Sequence, residues 1–212
     1  MIARIRNPCQ VLTHRLKAFI PHGAPIDDMY GVSVADMKVM AKTIKGNQEL
    51  ACELYECGNA DAMYLAGMVA DGGLMTKKLL DSWAKKSSWL MISEYTVPKV
   101  AAESKHCRSL AQQWMKSKKE NVASCGWASY AAHVTTTADD ELDLAEIKGL
   151  LKQVESEIDG AAERVKYTMN GFVIAVGSYV LPLAKQAKAT AKKLGKVEVD
   201  MNGTSCDPPC SG

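Results

Sequence analysis

Apolar residues recur at helical spacing along most of this chain. In the segment that begins at Asp143, the residues that share one helix face are Leu144, Ile147, Leu150, Leu151, Val154 and Ile158. Residues suited to capping a first helical turn precede other such segments, as Ser33 and Thr76 do. The pattern predicts helices over residues 9–20, 33–45, 47–57, 60–70, 76–86, 89–103, 105–117, 119–134, 143–158, 161–179 and 182–195. Pro98 is expected to kink or end the helix that contains it.

These helices are short and follow one another closely, with turn residues such as Gly46 and Gly58 between them. A pair of short helices cannot bury its apolar faces alone, so neighbouring pairs have to stack. We therefore predict an all-α fold, a HEAT-like helical-repeat superhelix (an α-α solenoid) of about 11 helices. We expect a single domain over residues 1–196 and a loose C-terminal tail over residues 197–212, in which Val197 to Val199 is the one strand candidate.

The composition argues against several classes of protein. The chain has 212 residues, of which 47% are hydrophobic and 24% charged, a balance typical of globular proteins. No apolar run approaches the roughly 18 residues of a transmembrane helix, and no apolar segment follows the first charges as in a secretory signal. The seven cysteines are scattered and odd in number, which favours reduced thiols and a cytoplasmic location.

The sequence also lacks the common motifs for cofactors and metals. It has no P-loop, no dinucleotide fingerprint and no His-Glu-x-x-His zinc signature. Cys206 and Cys210 have no second ligand pair to complete a tetrahedral zinc site. We therefore expect no cofactor, no nucleotide, no metal and no membrane partner, and we expect a monomer.

Positive charge is concentrated between residues 77 and 119. This window contains ten basic and three acidic residues, a net charge of +7, whereas residues 121–160 carry a net charge of −6. Such a window is typical either of solvated helix faces or of a surface that binds a polyanion. In the second interpretation, the candidate phosphate-binding residues are Lys85, Lys86, Lys116, Lys118 and Lys119.

Three stretches resemble one known family in their order and spacing. They are Tyr30-Gly-Val-Ser-Val-Ala-Asp-Met37, Leu50-Ala-Cys-Glu-Leu-Tyr-Glu-Cys-Gly58 followed by Asp61, and Leu80-Asp-Ser-Trp-Ala84 followed by Ser88-Trp89. Together they are similar to the DNA alkylation repair family, the AlkD-like DNA glycosylases, over about residues 28–195. The resemblance implies HEAT-like helical pairs whose concave face binds duplex DNA. It also implies excision of cationic N3- or N7-alkylated purines.

Excision of a cationic purine makes modest chemical demands. The base leaves as a neutral molecule, so the enzyme has only to stabilise the positive charge left on the sugar, which a carboxylate does electrostatically and an aromatic face by cation–π attraction. In the family, a Trp and an Asp lie four residues apart on one helix; these positions match Trp89 and Ser93. Ser93 carries no charge. The neighbouring Glu94 could replace the Asp only if the helix were rotated or distorted, because one residue turns a helix by about 100°.

Two further positions of the family also differ in this chain. An Arg that contacts DNA falls near Ser124, and a second Trp falls on Gly171, with Phe172 beside it. One interpretation is an alkylpurine DNA glycosylase with a degenerate site, whose candidate catalytic residues are Trp89, Ser93 and Glu94. The alternatives are a non-catalytic protein that binds damaged or branched DNA and a helical-repeat scaffold for other proteins.

Overall fold

The computed structural model describes residues 24–201, and these residues form ten α-helices and no β-strand. The α-helices are α1 Val34–Thr43, α2 Gln48–Glu56, α3 Ala60–Val69, α4 Lys77–Lys86, α5 Val97–Ala102, α6 Cys107–Met115, α7 Glu120–Thr136, α8 Leu144–Glu157, α9 Glu163–Tyr179 and α10 Ala184–Leu194. A π-helix, Met91–Thr96, continues directly into α5. Short 3₁₀ turns are Ile26–Asp28, Gly72–Leu74, Ile158–Gly160 and Leu181–Leu183. The all-α prediction is confirmed.

Each of the ten predicted helices after residue 33 has a counterpart in the structure. The predicted helix at 9–20 lies outside the described residues, as do residues 202–212 of the predicted tail. Val197 to Val199 adopts no strand and no helix. Between residues 24 and 201, no single helix is long and apolar enough to cross a membrane. One pair, Glu163–Tyr179 with Leu181–Leu194, meets those criteria only when taken together across a bend of 110°.

Local hydrogen bonds explain where several helices begin. The side chain of Ser33 accepts a hydrogen bond from the Asp36 amide before α1, and Thr76 accepts one from the Leu79 amide before α4. Before α8, Asp143 accepts one from the Glu146 amide at 3.0 Å. These bonds satisfy amides of the first helical turn that have no partner within the helix. The capping residues recognised in the sequence therefore act as caps in the fold.

Eight of the ten α-helices, together with the π-helix, stack in two layers. We call the first the central layer: α3, the π-helix with α5, α7 and α9 contact one another in that order. In the second layer, α2 packs on α3, α4 on α5, α6 on α7 and α10 on α9. Because each helix contacts mainly its neighbours in the stack, the arrangement is that of a helical-repeat solenoid.

The buried side chains form two hydrophobic clusters. The first extends from Met29 to Cys125 in sequence, and in it the rings of Tyr55 and Trp83 stack with centroids 3.8 Å apart. The second lies in the C-terminal half, where Phe172 packs against the rings of Trp127 and Tyr130. The helices of the central layer therefore have to connect two separate cores.

The predicted helix at 89–103 contains an unexpected element. Pro98 neither ends it nor interrupts it; the chain passes from the π-helix Met91–Thr96 into α5 without a break. Proline has no amide hydrogen to donate, and its ring collides with the carbonyl four residues earlier in an α-helix, here that of Glu94. A wider turn before the proline relieves that collision, and π-turns of this kind are often found at functional sites.

Two glycines allow helices of the stack to approach closely. A β-carbon at Gly67 of α3 would collide with the methyl group of Thr96, the last residue of the π-helix. At Gly126 of α7, a β-carbon would lie 2.5 Å from the amide nitrogen of Met115 and 2.8 Å from the carbonyl oxygen of Ala111, both backbone atoms of α6. The α6–α7 contact therefore depends on the missing side chain at Gly126.

We expect Gly126→Ala to lower the free energy of unfolding by about 1–3 kcal/mol, because backbone atoms cannot move aside as a flexible side chain would. Gly149→Ala is the matched control, since Gly149 lies inside α8 with no atom near its missing β-carbon. That change should raise the free energy of unfolding by about 0.5–1 kcal/mol. Urea denaturation followed by circular dichroism measures both. Equal effects of the two substitutions would contradict the close α6–α7 contact.

Candidate nucleic-acid interface

Trp89 lies at the wall of an apolar cavity and not on an exposed groove surface. Only 8% of its surface is exposed, and it lines a cavity of about 390 Å³ together with Met37 and Tyr64. Asp61 borders the same cavity and accepts hydrogen bonds from the backbone amides of Tyr30 and Gly31 at 2.6 and 2.8 Å. These bonds anchor the segment before α1 to α3, so the cavity has a fixed wall.

Ser93 is buried within the π-helix. Its exposed fraction is 2%, and its hydroxyl donates to the carbonyl oxygen of Trp89 at 3.3 Å. The hydroxyl therefore closes a bond within its own helix. A side chain in this position offers neither a charge nor a free donor to a DNA sugar.

Glu94 is also buried, and it forms an ion pair with Arg164 of α9. The Arg164 Nε donates to Glu94 Oε1 at 2.8 Å, and the Arg164 Nη2 donates to Glu94 Oε2. The carboxylate thus accepts both parallel bonds that a guanidinium offers, the strongest geometry for such a pair. The exposed fractions of the two side chains are 18% for Arg164 and 2% for Glu94.

The surroundings shift the protonation of both partners. Burial raises the pKa of Glu94 above its ordinary value, and the hydrogen bonds and charge of Arg164 oppose this shift only in part. For Arg164, burial alone would lower the pKa, but the bond to Glu94 and its charge outweigh burial and raise it. Arg164 therefore stays charged, and its charge is directed at Glu94.

The predicted acid is therefore present but neutralised. The local distortion that would let Glu94 replace the family's Asp does exist, as the π-helix, yet it directs the carboxylate into a bidentate bond with Arg164. Electrostatic stabilisation of a cationic sugar needs a negative charge that the protein has not already compensated. Ser93 has no charge, and the charge of Glu94 is compensated by Arg164, so neither residue meets this requirement.

Two tyrosines complete the group around Arg164. The guanidinium carbon of Arg164 lies 4.3 Å from the ring centroid of Tyr167, within the range of a cation–π contact. Tyr95, the residue after Glu94, is 47% exposed. Burial and a hydrogen bond with Tyr167 raise the pKa of the Tyr95 hydroxyl. We call Tyr95, Arg164 and Tyr167 the tyrosine–arginine cluster.

The five predicted phosphate-binding lysines are all exposed, but they fall into two groups. Lys85 pairs with Asp81 at 2.5 Å, and Lys86 pairs with Glu56. By contrast, the remaining three form no ion pair with any residue between 24 and 201; these are Lys116, Lys118 and Lys119. The second group therefore has charge available for a phosphate.

Two predicted DNA contacts have no exposed side chain. Ser124 is fully buried in α7 and its hydroxyl donates to the carbonyl oxygen of Asn121 at 3.1 Å, while Phe172 belongs to the second hydrophobic cluster. A side chain with no exposed surface cannot touch DNA, so we exclude both from the candidate interface. Gly171 is partly exposed, and no atom lies within 4 Å of where its β-carbon would be. The position of the family's second Trp is thus left unfilled.

The sequence does not point to Arg164. It leaves Tyr95 and Tyr167 as tyrosines that could stack on sugars or bases but are more often found at the edge of a core. Arg164 is separated from Glu94 by 70 residues, so no local spacing brings the two together. One available signal was Tyr167, which precedes the unfilled Gly171 by one helical turn on the same face of α9. Among residues 24–201, no three His, Cys, Asp or Glu side chains gather as a metal site would require.

Known proteins resemble this chain both in sequence and in structure. A model of the family described as "DNA alkylation repair enzyme" matches residues 13–193. An uncharacterized protein of Listeria innocua is 29% identical over 199 residues, which are 92% of this chain and 85% of that protein. An uncharacterized protein of Listeria monocytogenes is 28% identical, with the same coverage.

A solved structure is similar in both fold and sequence. Its TM-score is 0.85, and it is 34% identical, with 95% of this chain and 88% of that chain covered. It is described as "a new family of proteins related to the HEAT-like repeat DNA glycosylases with affinity for branched DNA structures". The HEAT-like architecture predicted from the helix spacing is confirmed.

We expect Arg164→Met to lower the free energy of unfolding by about 3–5 kcal/mol, because it leaves the charge of Glu94 buried without a partner. The double variant Glu94→Gln/Arg164→Met should recover part of that loss, since the buried charge is then removed as well. Lys193→Met is the control: its bond to Glu155 is exposed, and its loss should change stability by less than about 1 kcal/mol. Urea unfolding of wild type, Glu94→Gln, Arg164→Met and the double variant gives the coupling energy of the pair. A double variant no more stable than Arg164→Met would show that the pair is not coupled.

Proposed function

We propose that this chain, which belongs to the DNA alkylation repair enzyme family, binds DNA through phosphate contacts and prefers branched over linear DNA, without excising alkylated bases. The observation that carries the proposal is the bidentate ion pair between Glu94 and Arg164. In this pair, Arg164 binds both oxygens of Glu94, the carboxylate nearest to the family's catalytic position. We further propose that the protein acts as a monomer in the cytoplasm.

The loss of excision follows from charge. A developing cation on the sugar is stabilised by a nearby carboxylate whose charge is free. Here Ser93 is neutral and bonded to the Trp89 carbonyl, and Glu94 is compensated by Arg164. Loss of one preorganised electrostatic group of this kind lowers the rate of the chemical step by a factor of about 10²–10³.

Binding to DNA is supported by the exposed lysines. Lys116, Lys118 and Lys119 lie at the end of α6 and just before α7, where they have no carboxylate partner among the described residues. Cations placed in this way attract phosphates whatever the base sequence, and the attraction weakens steeply with salt. The preference for branched DNA is supported by the affinity stated for the similar solved structure, which is 34% identical to this chain.

The test of binding compares DNA shapes. A three-way junction and a linear duplex of the same arm sequence are titrated by fluorescence anisotropy at several salt concentrations. We expect tighter binding to the junction and a linear fall of log affinity with log salt for both. No measurable binding at low salt would favour a protein scaffold instead.

Reversing the charge of Lys118 and Lys119 should weaken binding to both DNA shapes. We expect the double variant Lys118→Glu/Lys119→Glu to reduce the salt slope by about 0.9 for each phosphate contact that is lost. The matched control is Lys148→Glu/Lys152→Glu, because these lysines are exposed on α8 within the acidic segment. If the control weakened binding as much, net charge and not position would determine affinity.

Release of 7-methylguanine from alkylated DNA should stay near the spontaneous rate. A single-turnover assay compares wild type with Glu94→Gln, and far-UV circular dichroism verifies that the variant is folded. We expect equal rates, because the carboxylate of Glu94 is already compensated by Arg164. Rapid release by wild type that is abolished in Glu94→Gln would instead identify Glu94 as the catalytic acid of a working glycosylase.

A further inference from the structure

We infer that the tyrosine–arginine cluster, Tyr95, Arg164 and Tyr167, is the place where the protein recognises a branch point, by stacking Tyr95 on the base that the branch exposes. This inference rests on the proposed function and names the feature of branched DNA that the protein detects. None of its three residues belongs to the positions expected from the family.

The cluster has an exposed aromatic surface on a rigid support. Tyr95 is 47% exposed although it follows directly on the buried Glu94. The ring of the neighbouring Tyr167 lies with its centroid 4.3 Å from the guanidinium carbon of Arg164. Arg164 is in turn held by both oxygens of Glu94. Because Tyr95 directly follows Glu94, the ion pair holds the backbone that carries it. A tyrosine side chain has only two torsions to restrict when a base stacks on it.

The cluster also has a cationic donor whose acceptor is weak. Two nitrogens of Arg164 donate to Glu94. Among residues 24–201, the one acceptor for the third nitrogen, Nη1, is the sulfur of Met201 at 3.6 Å. A thioether is a weak acceptor, whereas a phosphate oxygen is a strong one. A phosphate beside the stacked base would therefore displace Met201 from this donor.

The tyrosine–arginine cluster lies near the exposed lysines that we propose as phosphate contacts. The backbone amide of Arg164 donates to Glu120 Oε1 at 2.8 Å, and Glu120 is the residue after Lys119. Lys118 and Glu120 also line a second cavity, of about 500 Å³, together with Val165 of α9. DNA held by the lysines at the start of α7 would thus meet Tyr95 and Arg164 along the same end of the central layer.

A continuous duplex has no exposed base face on which the Tyr95 ring could stack. Within it, each base pair is covered above and below by its neighbours, so no base face is free. At a branch point the stack is interrupted, and an exposed base face can stack on an aromatic side chain with little regard for its sequence. The cluster would therefore add affinity for branched DNA only.

The experiment measures the preference for a three-way junction over a linear duplex in Tyr95→Ala, Tyr95→Phe and Tyr179→Ala. We expect Tyr95→Ala to lose about ten-fold in junction affinity, the effect of removing one stacked base contact, with duplex affinity unchanged. Tyr95→Phe keeps the ring and should keep the preference. Tyr179→Ala is the matched control, since Tyr179 is 60% exposed at the far end of α9.

A second measurement reports on stacking directly. 2-Aminopurine placed at the branch point should be quenched by wild type and by Tyr95→Phe, and should stay fluorescent with Tyr95→Ala. An equal loss of affinity for junction and duplex, or unchanged quenching in Tyr95→Ala, would overturn the stacking site while leaving DNA binding in place. Failure of wild type to bind either DNA would overturn the proposed function and this inference with it.

Discussion

The ion pair between Glu94 and Arg164 is the interaction on which the rest of the site depends. It connects the π-helix, which packs in the first hydrophobic cluster, to α9, which packs in the second. Because both charges are largely withdrawn from water, either one alone would be strongly unfavourable. The pair therefore links the two halves of the central layer, and Arg164 also contacts the ring of Tyr167. The same bond that compensates the charge of Glu94 thus also holds the backbone beside Tyr95, the residue we propose for stacking.

The π-helix explains why this bond is possible. A regular helix through Pro98 would place the proline ring against the carbonyl of Glu94. The wider turn relieves that contact, and the residue within it, Glu94, meets Arg164. The Ser93 hydroxyl makes the bond to the carbonyl four residues earlier that a serine also makes in a regular α-helix. The π-turn just before Pro98 therefore accounts for the direction of Glu94, whereas a local helix bond accounts for the position of Ser93.

Local patterns in the sequence predicted most of the fold and part of the site. Helix starts at Ser33, Thr76 and Asp143 follow from short-range capping, which a sequence displays directly. The resemblance to the family led to the region of Trp89 and Ser93, but the burial of Ser124 results from the packing of α7 between its neighbours. Arg164 could not be predicted, because its partner lies 70 residues away and is brought to it only by the stacking of three helices.

The contact between Gly67 and Thr96 links a remote position to the binding surface. Any side chain at residue 67 of α3 would push on the methyl group of Thr96, within the turn that also contains Glu94 and Tyr95. A larger residue there has to be accommodated by a smaller one at position 96 or by a displaced π-helix. In evolutionary terms, the two positions are expected to covary among relatives that keep this turn. In a lineage that enlarged residue 67 alone, we expect a displaced turn and a longer bond between Glu94 and Arg164, although neither partner of the pair would have changed.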